Sequence, residues 1–225
     1  MKPIVTLCIA LLTLTTIAQQ REVVKNVGDF HELKVFDLME VNLIQSDENK
    51  VVIKGEHTYN VKVINNNGTL KLRMETDTRF RGEDTYIEVY FTEIETIDAN
   101  EGSQIVASEM IEQDEIELKA QEGGQIKVGL QVDRTKVRAV TGGIVEASGL
   151  SKSQEIKINT GGIFEGRELL TQRTKVGITA AGEADINASD KAEIRVTAGG
   201  NVNVYGNPKE IDEKKLAGGR IIIKD

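Results

Sequence analysis

The chain has 225 residues, with 28 Lys and Arg against 36 Asp and Glu, two histidines, one cysteine and no tryptophan. A formal charge of −8 argues against nucleic acid or an anionic membrane as a general partner, since polyanions are held by a net cationic surface. One cysteine excludes a disulfide framework, and the length suits a single domain or a single solenoid.

Residues 1–18 read as a signal peptide. Lys2 precedes an apolar run from Ile4 to Leu14, and Thr16-Ile17-Ala18 supplies small residues before Gln19. The run is too short to span a bilayer comfortably. A retained N-terminal anchor is the alternative, and lipid attachment at Cys8 is disfavoured by the large Leu7 before it. Cleavage removes Lys2 and Cys8, leaving 27 cations against 36 acids, a balance of −9, and no cysteine for a metal site. The leader predicts export, to the cell surface or extracellular space or to the periplasm. After it no apolar stretch is long enough to cross a membrane.

Residues 19–225 are expected to form one domain. Its first part, residues 22–100, shows short alternating runs such as LKVFD (33–37), KVVIKG (50–55), TLKLRME (69–75) and YIEVYF (86–91), which read as strands. Seven of the nine aromatics lie there: Phe30, Phe36, Tyr59, Phe80, Tyr86, Tyr90 and Phe91. This region is expected to supply wider, less regular coils and an N-terminal cap, sharing one core with the rest.

Residues 101–225 repeat. A glycine-centred turn recurs as EGSQI, EGGQI, TGGIV, TGGIF, AAGEA, AGGNV and AGGRI, with its leading position at 102, 123, 142, 161, 181, 199 and 218. Five residues before that position stand Ile97, Leu118, Val137, Ile156, Val176 and Ile194; three before stand Ala99, Ala120, Ala139, Ile158, Ile178 and Val196. Three after stand Ile105, Ile126, Val145, Phe164, Ala184, Val202 and Ile221; five after stand Ala107, Val128, Ala147, Gly166, Ile186, Val204 and Ile223. A period of two puts these on one strand face, and a period near 19 stacks like on like. The pattern predicts an all-β fold, a right-handed parallel β-helix with glycine-rich turns and seven regular coils. A second turn is expected at Gly129-Leu130, Gly149-Leu150, Gly166-Arg167, Ser189-Asp190 and Gly206-Asn207, dividing each coil between two facing sheets. Residues 205–215, with Pro208 and a charge run, are expected to break the repeat before the last coil.

The outward positions carry charge. Four before the glycine lies a basic stripe, Lys119, Arg138, Lys157, Gly177 and Arg195; four after lies a partly acidic one, Lys127, Glu146, Glu165, Asp185 and Asn203. Each reads either as a solvated flank or as a docking face. Ile144 and Ile163 fall one above the other on the outer face and form a small apolar patch that could join copies of the chain.

Enzyme chemistry finds no anchor. His31 and His57 are the only histidines, and no GxSxG turn marks a nucleophile. Glu146, Glu165 and Asp185 could share calcium, but the GGxGxD pattern of calcium β-rolls is absent. A polysaccharide lyase would need clustered aspartates with a basic residue, and Asp133, Arg134 and Asp185 are not grouped. Phe164 and Tyr205 are the only aromatics of the regular half, and Phe164 falls in an inward column, so a sugar-stacking groove is better sought among residues 80–91. No catalytic, cofactor-binding or metal residue is assigned.

The opening FHELKVFDLMEVNLIQSDENKVVIKG, the VINNNGTLKLRME segment, the repeated GG turns and the closing VNVYGNPKEIDEKKLAGG together resemble the head GIN domain family of autotransporter-type adhesins, over roughly residues 25–224. The resemblance implies a right-handed β-helix with glycine-rich turns between two sheets, a pectin-lyase-like fold without its catalytic residues, and a role in cell adhesion. It supplies no functional residue to carry over, and the membrane barrel of an autotransporter is not in this sequence. The expectation is an exported, non-enzymatic adhesin-like binding protein that engages a surface glycan or protein. A periplasmic scaffold or envelope-stress partner is the alternative, and a polysaccharide-active enzyme the more distant one.

Overall fold

The computed structural model describes residues 22–224, so the leader at residues 1–18 lies outside the described residues. Sixteen strands follow in order: β1 (Val23–Asn26), β2 (Glu32–Val35), β3 (Glu40–Gln45), β4 (Lys50–Gly55), β5 (Val61–Asn66), β6 (Thr69–Met74), β7 (Thr85–Phe91), β8 (Thr96–Ala99), β9 (Gln104–Gln121), β10 (Gln125–Val140), β11 (Ile144–Asn159), β12 (Ile163–Ala180), β13 (Glu183–Ala198), β14 (Asn201–Tyr205), β15 (Glu210–Ala217) and β16 (Arg220–Ile223). They form a β-solenoid of parallel coils.

The stacking follows the repeat. Val137 lies beside Ile156, Ile156 beside Val176, and Val176 beside Ile194 in parallel register. Each is at most 3% exposed. One hydrophobic cluster runs from Phe30 to Val204, so both halves of the chain share a single core. Neighbouring coils lie about 4.8 Å apart, which brings like side chains into van der Waals contact along the axis.

The path around each coil differs from the two-sheet expectation. β9 to β13 are continuous strands of 16 to 18 residues that bend around the core while keeping their hydrogen bonds. The expected second turns at 129–130, 149–150, 166–167 and 189–190 are bends within these strands. Register irregularities mark them between Glu146 and Gly149 and between Glu165 and Leu170. Each coil therefore closes with one tight turn. A parallel neighbour above and below holds the ladder through a gentle bend, whereas the chain reversal at the glycines needs left-handed backbone.

At that reversal Glu122-Gly123, Thr141-Gly142 and Thr160-Gly161 adopt paired φ values of 50° to 76°. The following glycine is needed for close approach, since a Cβ at Gly143 would sit 2.1 Å from the Ala120 carbonyl oxygen of the coil before. The turn changes where that inward alanine gives way to a branched residue. Over Ile158, Ile178 and Val196 the φ of Gly182, Gly200 and Gly219 opens to 132°, 118° and 90°.

The N-terminal region is more regular than the sequence predicts. β2 and β3 make a further coil on β8 and β9, with Leu33 beside Ile97 and Val41 beside Ile105. β6 and β7 make another on β2 and β3. β4 and β5 then run antiparallel to β7 and β6, and β1 runs antiparallel to β4. This reversed layer ends the parallel stack and serves as the cap.

At the other end the charge run is a strand. β15 pairs with β13 in parallel, which places Glu213 beside Ile194 and Lys215 beside Val196 in the inward columns. Only residues 206–209 interrupt the strands there. Charges are tolerated in the terminal coil because one side faces solvent, and inward charges are a recurrent way to blunt a sheet end. Among the described residues no helix is long and apolar enough to cross a membrane.

Candidate functional site

The second half of each long strand presents three outward side chains. β10 offers Arg134, Lys136 and Arg138; β11 offers Ser153, Glu155 and Lys157; β12 offers Arg173, Lys175 and Gly177; β13 offers Lys191, Glu193 and Arg195. Register stacks them into three columns along the axis, so that Arg134, Ser153, Arg173 and Lys191 form one and Arg138, Lys157, Gly177 and Arg195 another. The basic stripe read from the sequence is thus one column of a wider face. Eight cations stand there against two carboxylates, a local charge of +6 on a chain of net charge −8.

Acids border the face and hold part of it. Glu115 lies near the Arg134 guanidinium and takes a hydrogen bond from Lys136, which draws the Glu115 carboxyl below its ordinary pKa. Glu193 bonds Arg195 at 3.0 Å and is lowered by that contact. Glu210 bonds Lys191 at 2.6 Å and raises the pKa of that ammonium. Arg138 and Arg173 reach no carboxylate among the described residues. A depression of about 270 Å³ lies between Arg134, Arg173, Lys175 and Lys191.

Beneath the bend next to this face lies a buried polar cluster. Thr135 donates to Ser151 at 3.0 Å, Gln154 donates through Nε2 to Thr174 at 2.8 Å, and Thr171 and Thr174 share a bond of 2.8 Å. The Gln154 Oε1 is buried without a partner. Beyond the bend, Leu150 and Leu170 are register neighbours and each is 51% exposed. They line a groove of about 620 Å³ with Val132, Lys152 and Gln172. The turn expected at Gly149-Leu150 conceals this pair in the sequence; the recurrence of leucine at 150 and 170, 20 residues apart, is the signal that points to it.

The other residues singled out from the sequence are accounted for locally. Glu146, Glu165 and Asp185 do stack, but Glu146 pairs with Lys127 at 2.8 Å and Asp185 accepts a bond from Asn203 at 2.7 Å. Among the described residues no group of three His, Cys, Asp or Glu is placed to hold a metal. Asp133 pairs with Lys152 at 2.6 Å, away from Asp185. His31 precedes β2 and His57 caps the short turn before β5. Phe164 is fully buried, and Tyr205 lies under the Arg167 guanidinium at 4.8 Å. In the 80–91 stretch Phe80 and Tyr86 are exposed while Phe91 is core. Ile144 and Ile163 are register neighbours and half-buried, flanked by Gln125 and Glu183, so the apolar patch is two residues long.

Comparison with known proteins follows the fold. Residues 29–208 match the model of a family described as "Putative auto-transporter adhesin, head GIN domain". A crystal structure of "a putative adhesin" from Bacteroides fragilis NCTC 9343 is similar, with a TM-score of 0.84 at 15% identity, covering 92% of this chain and 98% of that one. Another, from Parabacteroides merdae ATCC 43184, gives 0.72 at 14% identity over 93% and 98%. A third, from Parabacteroides distasonis ATCC 8503 and called a "Putative lipid binding protein", gives 0.67 at 13% identity over 92% and 98%. At these identities the likeness concerns the fold. A search of curated proteins returned no match.

Proposed function

The chain belongs to the head GIN domain family of autotransporter-type adhesins, and on that premise we propose that it is an exported, non-enzymatic adhesin-like protein that presents a rigid solenoid surface at the cell envelope. The observation that carries the reading is the +6 face held in register on an otherwise acidic molecule. A ladder of hydrogen-bonded strands fixes these side chains in a lattice before any ligand arrives, which lowers the ordering cost of binding. The export leader supports delivery to the envelope, and the family name and the similar structures from Bacteroides fragilis and Parabacteroides merdae support an adhesin rather than an enzyme. The partner is a surface glycan or protein.

Protease added to intact cells tests the placement. Digestion of the protein on whole cells, with loss of attachment to a glycan- or protein-coated surface in a deletion strain, is the expected result. Full protection on intact cells together with unchanged attachment contradicts it and favours a periplasmic scaffold.

A further inference from the structure

We propose that the cationic face of β10 to β13 binds a linear acidic polysaccharide, lying along the solenoid axis. This rests on the binding-surface reading above and names the ligand class. Three features of the face converge on it.

The first is the cost of the arrangement without a ligand. Arg138 lies directly beside Lys157, and Arg173 beside Lys191. Like charges opposed across neighbouring strands repel. Arg138 and Arg173 have no carboxylate within 4.0 Å among the described residues to offset this. On the opposite face Lys127 and Glu146, at corresponding register positions, are paired. The other six cations of the face each have a carboxylate partner, Lys157 in Glu155 and Lys175 in Glu193 among them, so an anionic polymer would supply the counter-charges that Arg138 and Arg173 lack.

The second is spacing. Cations recur along each column at intervals of about 4.8 Å or twice that, and sit two residues apart, roughly 7 Å, across the strand. A polymer with one acidic group per sugar or disaccharide meets such a lattice repeatedly, and arginine takes a carboxylate through two parallel hydrogen bonds. The interleaved Ser153, Glu155 and Glu193 offer acceptors to sugar hydroxyls, and the depression between Arg134 and Lys191 gives a ring somewhere to sit.

The third is what the face lacks. None of its twelve outward positions is aromatic or large and apolar. Single-stranded nucleic acid is held by stacking on aromatic side chains, and a membrane-surface site inserts apolar ones. A charged, hydroxylated chain needs neither.

The test is titration of the full chain with polygalacturonate oligosaccharides and, separately, with neutral dextran, at 50 and 200 mM NaCl. The expected result is saturable binding to polygalacturonate alone, weakened about tenfold at the higher salt. The triple variant Arg138→Glu, Lys157→Glu, Arg173→Glu should lose at least about tenfold, and Lys127→Glu on the opposite face should not change it. If the charge-reversed triple unfolds by circular dichroism, the glutamine triple at the same sites replaces it and should show a smaller loss in the same direction.

Equal binding of dextran, no binding of polygalacturonate, or binding insensitive to these substitutions overturns the proposal. So does tighter binding of single-stranded DNA or anionic vesicles, or salt-sensitive self-association that occupies the face. A variant that loses polygalacturonate yet still supports whole-cell attachment sinks the ligand assignment and leaves the adhesin reading standing.

Discussion

In the coil closed by Thr141-Gly142 the left-handed pair ends in glycine, with φ of 50° and 73°; in the coil formed by β2 and β3 the same place is held by Asp37 and Leu38, with φ of 61° and 64°. The inward columns on either side are alike, Leu33 and Val35 continuing the positions of Ile97 and Ala99. Coil geometry therefore dictates the backbone, and two chemistries meet it. The coils closed at Gly102, Gly123, Gly142 and Gly161 put a residue without a Cβ at the second place of the pair. The N-terminal coil uses hydrogen bonds: the fully buried Asp37 accepts from the Met74 amide at 3.0 Å and the Phe80 amide at 3.4 Å, with the Arg79 guanidinium at 3.6 Å. Repetition stabilises one region and specific polar joinery the other.

Substitutions at the turns separate the two solutions. Gly143→Val should cost the most, about 4 kcal/mol or outright failure to fold, because its side chain would meet the Ala120 backbone carbonyl of the coil before. Gly142→Ala, where a Cβ meets open space, should cost only about 1 kcal/mol from the left-handed backbone. Urea denaturation measures both, and equal losses would remove the distinction between close approach and backbone conformation.

Asp37→Ala should cost about 3 kcal/mol, since it orphans buried amides that the carboxylate satisfies. A loss near zero in the same assay would mean that the N-terminal turn is held by its apolar neighbours alone. Leu38→Gly points the opposite way. Relief of the left-handed leucine should raise stability by up to about 1 kcal/mol, less whatever its side chain contributes by packing over Gly102. A marked loss would show that this contact outweighs the strain.

The smallest effect is expected at the bend. Gln154→Met keeps the volume and removes the unpaired Oε1, so thermal unfolding should shift by between about 0 and 1 kcal/mol toward greater stability. Thr174 keeps its bond to Thr171 in that variant. A loss above about 1 kcal/mol would mean that the Gln154 amide is a keystone of the polar cluster.

The sequence carries the columns plainly because each inward position repeats its residue class every 19 or so residues, and β-stacking translates a period directly into contact. The change of turn geometry at Gly182 was legible in the switch from Ala139 to Ile158 in one column, since the branched side chain occupies space that the preceding turns fill with backbone. The coil of β2 and β3 was hidden because Leu38 stands where the later coils have glycine. The bends at 149 and 166 read as turns in the sequence because glycine marks any departure from flat backbone, and only the neighbouring ladder reveals whether hydrogen bonding continues. The charge run at 210–217 does not read as a coil in the sequence because an inward charge is forbidden in mid-stack yet harmless in the terminal coil. For the cationic face, one column, 119 to 195, was visible from the sequence; its width emerged only with the register that sets Arg134, Arg173 and Lys191 beside it.

Register is the claim on which the face and the core both rest, and spin-label distances measure it directly. Lys119 and Lys214 lie in one outward column five coils apart. With nitroxides at Lys119→Cys and Lys214→Cys in a chain carrying Cys8→Ser, electron–electron resonance should give a narrow distribution centred at about 24 Å, five strand spacings. A broad distribution, or a centre beyond about 35 Å, would contradict parallel in-register stacking.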